Sequence, residues 1–243
     1  MKTVERKPRA RSKSVNGKTE RQGTWVFMND VNLYVPGWVV DIDSFRRWTD
    51  DKDYPDRGCI WWLRGEVWAD MSKEQIFSHL AVKQEFFRVL GNLAKTECPG
   101  MLIPDGLLLS NFAADISGNP DATFISAPTL DSDRVRLIEG ANRGFVEVQG
   151  TPDMVLEVVS DSSVKKDLEL LIEDYWKAQI PEYWVVDARE ESTRFDIWKL
   201  GPRGYRKAPV RGRWIASSVF AKSFRLDVQE DRFKRKNYTL EVR

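Results

Sequence analysis

The hydrophobic pattern changes character at Trp25. Residues 1–23, MKTVERKPRARSKSVNGKTERQG, are polar and basic and show no apolar periodicity, which predicts a disordered tail or a basic arm toward a polyanion. Beyond it, WVFMNDVNLYVPGWVVDIDSF and GCIWWLRGEVWADM group aromatic and aliphatic residues into short runs. These predict short strands, with Arg64-Gly65-Glu66 as a hairpin turn. In SKEQIFSHLAVKQEFFRVLGNLAK the apolar residues Ile76, Leu80, Val82, Phe86, Phe87, Leu90 and Leu93 form a helical stripe. Ser72 followed by Gln75 fits a capping box and places the helix start there.

GMLIPDGLLLSNF and PDATFISAPTL read as two strands joined by the polar turn AADISGN. DSDRVRLIEGANRGFVEVQG reads as a polar loop. PDMVLEVVS, rich in Val and Leu, reads as a central strand. In DSSVKKDLELLIEDYWKAQI the stripe Val164, Leu168, Leu171, Ile172 and Tyr175 predicts a second helix, with Ser162 or Ser163 as N-cap and Pro181 beyond its end. EYWVVDA is a further buried strand, in which Tyr183 and Trp184 read as core residues. RFDIWKL, YRKAPV and SFRLDV continue a β-rich tail. The order predicts an α/β fold, a mixed central β-sheet flanked by helices with β-rich N- and C-terminal additions, as a single domain over residues 24–243.

Composition narrows the chemistry. The net charge of +1 gives no global basic signature for nucleic acid, although it averages over faces. The two cysteines, Cys59 and Cys98, stand far apart and outside any C-x-x-C, which argues against a disulfide framework and a thiolate zinc site. The single histidine, His79, excludes a multi-histidine centre. Any metal is therefore expected on carboxylate and carbonyl oxygens, which suits Mg²⁺, Mn²⁺ or Ca²⁺. No apolar run is long enough for a membrane span and no secretory h-region is present, so the expected compartment is the cytoplasm.

One charge disturbs the pattern. Along the strand, Asp153, Val155, Glu157 and Val159 share one face, and Met154, Leu156 and Val158 share the other. An unpaired carboxylate in such a strand costs several kcal/mol. Glu157 therefore requires water, a cationic partner or a metal. Asp121, after Pro120 at the start of the preceding strand, is the second candidate, although Asn-Pro-Asp is also an ordinary turn signal. Thirty-six residues separate the two, enough for a strand, a loop and a neighbouring strand, so both carboxylates could share one site.

Four stretches, RGEVWADMSKEQIFSHLAVK, NPDATF, GTPDMVLEVVSDSSVKKD and YWKAQIPEYWVVDARE, resemble the Uma-type family of putative restriction endonucleases within the PD-(D/E)xK superfamily. They cover most of residues 60 to 190. The resemblance implies a restriction-endonuclease-like core and hydrolysis of DNA phosphodiesters. It implies that Asp121 and Glu157 bind Mg²⁺ (or Mn²⁺) with a backbone carbonyl near Val158. It also implies a lysine that orients or deprotonates the attacking water, or neutralises the phosphate. DNA is the implied partner, and a homodimer is expected by analogy with many enzymes of this fold.

This chain departs from the pattern at the lysine. The position two after Glu157 is Val159, and the alternative position, four after Asp167, is Leu171. The remaining cations are Lys165 and Lys166. Lys166 is preferred because Lys directly before that Asp resembles one branch of the family. Glu74 and His79 match positions near the family's first helix and are candidates for a supporting shell or a third carboxylate. Two alternatives stand beside the nuclease. One is a catalytically degenerate binding module, favoured by the misplaced lysine. The other is a carboxylate-metal hydrolase of small phosphoesters. Asp121 and Glu157 together in an open cleft would favour catalysis, and Glu157 tied to an arginine in a closed core would oppose it.

Overall fold

The computed structural model describes residues 23–28, 31–140 and 143–243. Apart from Gly23, the predicted basic tail lies outside the described residues. An antiparallel hairpin of β1 (Thr24–Met28) and β2 (Val31–Val35) opens the chain. It is followed by α1 (Ile42–Thr49), β3 (Cys59–Leu63) and β4 (Glu66–Asp70). A single π-helical turn, Ile76–Leu80, leads into α2 (Ala81–Thr96). Then come β5 (Gly100–Pro104), β6 (Leu108–Asn111), β7 (Ile116–Gly118), β8 (Ala122–Ser126) and the short α3 (Ala127–Leu130). β9 (Val135–Glu139), β10 (Phe145–Gly150) and β11 (Met154–Val158) precede a second π turn, Lys166–Leu170, and α4 (Leu171–Lys177). The chain closes with β12 (Glu182–Asp187), β13 (Arg194–Lys199), β14 (Arg206–Lys207), β15 (Val210–Arg211), β16 (Trp214–Ser217), β17 (Lys222–Glu230) and β18 (Lys236–Val242).

The predicted central strand is β11. It lies inside a six-stranded mixed sheet of order β14-β13-β12-β11-β8-β5, parallel to β12 and antiparallel to β8. Parallel pairing with β12 requires a crossover, and α4 supplies it. The alternation of side chains sorts β11 between two cores. Met154, Leu156 and Val158 face α2 (Val82, Phe86, Leu90, Leu93) and the aromatic residues Phe220 and Phe224 of the C-terminal region. Val155 and Val159 face α4 (Leu171, Tyr175) and the second six-stranded sheet, β4-β3-β7-β6-β10-β9, through Trp61, Leu109, Ile116 and Val148. A third cluster, around Phe45, Trp48 and Trp62, fastens α1 to β3. Arg46 of α1 also clamps the buried Glu147 of β10 through two hydrogen bonds, of 2.6 and 2.7 Å.

Several local expectations fail for identifiable reasons. The stretch predicted as strands through VVDIDSF contains α1. Asp41 caps it by accepting from Ser44 N–H at 2.8 Å, while Ser44 Oγ accepts from Asp41 N–H at 2.9 Å. This reciprocal box is visible in the sequence as D-x-x-S. Ser72 does not cap α2. Its N–H donates to Asp70 Oδ1 at 2.9 Å, and helical bonding begins four residues later. The second helix begins at Val164, so the candidate Ser163 stands at the N-cap position, but its hydroxyl pairs back with Ser160. Ser163 N–H donates to Ser160 Oγ at 3.1 Å, and Ser160 N–H donates to Ser163 Oγ at 2.9 Å. GMLIPDGLLLSNF is two strands in two different sheets, separated where Gly106 adopts a φ of 93°. AADISGN reaches into β7, and the predicted polar loop holds β9 and β10. β9 is the edge strand of its sheet, and its exposed Arg136 and Glu139 hide the apolar alternation; β10, between β6 and β9, buries its one charge, Glu147.

Candidate active site

The site is built where β8 begins and β11 ends. The last ladder pair between them is Leu156 with Ala122. Continued by one residue, the antiparallel register sets Asp121 beside Glu157. The backbone pairing stops there, and the Asp121 side chain replaces it: Val158 N–H donates to Asp121 Oδ2 at 2.7 Å. Asp121 is thereby fixed to the strand that carries Glu157. Both residues are buried, so they lie beneath the surface rather than in an open cleft.

Glu157 has two partners, and neither is an arginine. Tyr175 of α4 donates its hydroxyl to Oε1 at 2.8 Å. Lys166 approaches Oε2 at 3.3 Å, donates a short bond to Asp167 Oδ1, and lies 4.5 Å from the centre of the Trp61 ring. Asp167 also accepts a short bond from Ser163 Oγ. Lys166 reaches the site through the π turn. In a regular α-helix it would stand about 140° around the axis from the inward-facing Leu171, at about 100° per residue. The Leu171 N–H instead bonds the Lys166 carbonyl, five residues back. The widened turn brings both residues to the buried face. Lys165, one residue earlier, is exposed and lies 5.5 Å from the Trp68 ring, so the structure separates the two lysine candidates.

On the other side of Asp121, α2 contributes Lys83. Its ammonium donates to Asp105 Oδ2 at 2.6 Å, Glu74 Oε1 at 2.8 Å and Asp121 Oδ1 at 3.2 Å. His79 lies between the other oxygens of the same carboxylates. Its Nδ1 is 3.6 Å from Glu74 Oε2, and its Nε2 is 3.6 Å from Asp121 Oδ2. Glu74 and Asp105, with side chains 36% and 48% exposed, connect the buried group to solvent.

The electrostatics follow from burial and crowding. Burial pushes the Glu157 carboxyl up to about 8; the Lys166 ammonium opposes this, and the neighbouring Asp167 and Asp121 carboxylates reinforce it. Burial likewise raises Asp167 against the pull of Lys166. For Lys166, burial works against the charge, but Asp167 and Glu157 more than compensate and raise its pKa. Lys83 is raised in the same way, chiefly by Asp121, with Asp105 and Glu74 adding to it. Both lysines are therefore held as ammonium groups, which are donors and point charges rather than bases.

Sequence reasoning found Asp121, Glu157, Lys166, Glu74 and His79, and the structure brings all five into one region. It missed Lys83, Asp105, Asp167 and Tyr175 as members. Lys83 stands four residues after His79, the spacing of helix neighbours, but nothing in the sequence marks that spacing as part of a site. Tyr175 was assigned to the apolar stripe, and its ring is indeed buried; only its hydroxyl belongs to the site.

The donor set suits a hard divalent cation. Five carboxylates (Glu74, Asp105, Asp121, Glu157, Asp167) face two ammonium groups, which leaves an excess of negative charge when all are ionised. Asp121 and Glu157 would be the residues to hold such an ion, whose charge would favour the ionised form of Glu157 that burial disfavours.

A family model described as "Putative restriction endonuclease", Uma2, matches residues 42–229. Among solved structures, a putative nuclease belonging to DUF820 from Anabaena variabilis is similar at a TM-score of 0.50 and 15% identity, covering 67% of this chain and 83% of that one. That likeness shows a mixed α/β fold shared with that protein. No curated protein matches the chain. No helix among the described residues is long and apolar enough to cross a membrane.

Proposed function

Since the chain belongs to the Uma2 family of putative restriction endonucleases, we propose that it is a divalent-metal-dependent endonuclease hydrolysing DNA phosphodiesters. Asp121 and Glu157 would hold Mg²⁺ or Mn²⁺, with Lys166 as the associated cation. The observation that carries this reading is the position of Lys166. Although both usual lysine positions are apolar, the π turn returns an ammonium to 3.3 Å from Glu157.

Each residue has a derivable task. Val158 N–H fixes one oxygen of Asp121. Tyr175 orients Glu157 through its hydroxyl. Because Lys166 is kept protonated, it serves as a donor and counter-charge to a phosphoryl oxygen, not as the base that deprotonates water. When bound, a divalent cation supplies Lewis-acid polarisation and a more acidic water. Glu74 and Asp105 form the solvent-facing side, and access for a phosphodiester is expected there.

The test is cleavage of supercoiled plasmid with Mg²⁺ or Mn²⁺, comparing the wild type with Glu157→Gln and Asp121→Asn, each checked for folding by circular dichroism. Cleavage by the wild type and loss of at least about 100-fold in each variant is expected. Activity unchanged by Glu157→Gln would remove the site. A wild type that binds Mn²⁺ yet leaves DNA intact would favour the degenerate binding module.

A further inference from the structure

The π turn that opens α2 inverts the usual partition of side chains. Its apolar residues Ile76, Phe77 and Leu80 are 64%, 45% and 41% exposed, whereas His79 is only 7% exposed. The turn is closed by a Leu80 N–H to Gln75 carbonyl bond of 3.0 Å, five residues apart. Such turns recur at functional sites because the extra residue re-aims one side chain. Here the side chain aimed inward is the chain's single histidine.

The buried imidazole is poorly satisfied. Nδ1 has no hydrogen-bond partner among the described residues. Both ring nitrogens face carboxylate oxygens at 3.6 Å, too far for a hydrogen bond. Lys83 occupies the opposite oxygens of the same two carboxylates. Around that ammonium stand three carboxylates, Glu74, Asp105 and Asp121. With the imidazole neutral, a charge of −2 remains, which one divalent ion cancels. One donor atom from each of Glu74, His79 and Asp121 lies within 4.8 Å of the others. Two ligand bonds of roughly 2.1 Å span about 4.2 Å across an ion, so closure requires sub-ångström movement.

We propose that Glu74, His79 and Asp121 form a second divalent-cation site, joined through Asp121 to the Asp121–Glu157 position. One imidazole with two carboxylates suits Mn²⁺, Co²⁺ or Zn²⁺ better than Mg²⁺ or Ca²⁺, which favour all-oxygen shells. The solvent-facing side of Glu74 provides the entry path. The unpartnered ring nitrogen and the −2 charge then share one explanation.

A single histidine makes the test direct. The metal-free full-length chain is titrated with Zn²⁺, Mn²⁺ and Mg²⁺ while the imidazole ring nitrogens are followed by NMR, and stoichiometry is measured by equilibrium dialysis. Zn²⁺ is expected to shift the His79 ring signals, and Mn²⁺ to broaden them, at micromolar concentrations where Mg²⁺ does neither. His79→Asn is expected to weaken Zn²⁺ and Mn²⁺ binding by about tenfold or more, with Mg²⁺ binding changed far less. Glu157→Gln is expected to leave the His79 response intact. Ring signals unmoved by millimolar Zn²⁺ and Mn²⁺ would overturn the proposal, and this measurement on the wild type decides even if His79→Asn fails to fold. Because the readout is ion binding, failure to cut DNA would leave the inference standing.

Discussion

Glu157→Gln should make the protein less sensitive to alkaline pH while removing its proposed activity. Burial lifts the folded-state pKa of Glu157 to about 8, from an ordinary value of 4.5. Between those values the folded protein holds a proton that the unfolded chain has released. The stabilising contribution is fully present below pH 4.5 and is lost as pH rises through about 8. At about 1.4 kcal/mol per pH unit, the interval corresponds to about 5 kcal/mol. Glutamine has the same shape, keeps an oxygen for the Tyr175 hydroxyl at Oε1 and cannot ionise. The cost of facing the Lys166 ammonium with an amide is independent of pH over this range. Asp167, also raised, interacts with Glu157, so the difference between the two proteins reports the titration of the pair. Urea denaturation of the metal-free proteins at intervals from pH 5 to 9 measures the effect. The wild-type stability should fall relative to Glu157→Gln with a slope equivalent to one proton, about 1.4 kcal/mol per pH unit, and flatten above pH 8. Parallel curves would refute the reasoning, because they would mean that Glu157 titrates alike in the folded and unfolded chains.

The two candidate lysines should separate in a cleavage assay. Lys166→Met should lower the rate at least about 100-fold with the fold retained by circular dichroism, and Lys165→Met should stay within about twofold, since it removes an exposed charge whose one ring contact, with Trp68, lies outside the buried group. Arg46→Met should destabilise the fold by about 3–5 kcal/mol in urea, because it strands the buried Glu147 carboxylate that Arg46 clamps through two hydrogen bonds. Gly118→Ala should cost about 1–3 kcal/mol in the same measurement, because its Cβ would meet the fully buried Trp61 ring at 2.1 Å; that ring lies under Lys166, so proposed cleavage should fall as well.

The legible parts of the sequence were those where one period governed. β11 declared itself by alternation, and Glu157 stood out because a charge interrupted that period. Chain length allowed Asp121 and Glu157 to sit on neighbouring strands, and the Leu156–Ala122 pair does set β8 beside β11, although the interval holds α3, β9 and β10 rather than a loop. β9 and β10 were hidden: the edge strand β9 exposes Arg136 and Glu139, and β10 inverts the usual pattern by exposing Phe145 and Val146 while burying Glu147. Lys83, drawn as part of an amphipathic helix, gave no composition signal. Only the fold places it against Asp105 and Asp121, which enter from different loops.

The deepest source of error was also the one nearest the chemistry. A helical wheel assumes 3.6 residues per turn and therefore turns Lys166 away from Leu171. In both helices that border the site a π turn precedes the regular segment, and each turn delivers polar side chains inward: His79 from Ile76–Leu80, and Lys166 with Asp167 from Lys166–Leu170. A helix of regular pitch could bury its apolar stripe or present these groups, but not both at the observed positions. One inserted residue at each start resolves the conflict, because α2 and α4 keep their stripes against the central sheet while the preceding turn answers to the carboxylates. Deleting the extra residue would rotate the polar group out of register without changing composition or hydrophobic content. Periodicity therefore misplaces these residues for a physical reason: their position is set by a local departure from the period, stabilised by charges that arrive from β8 and β11.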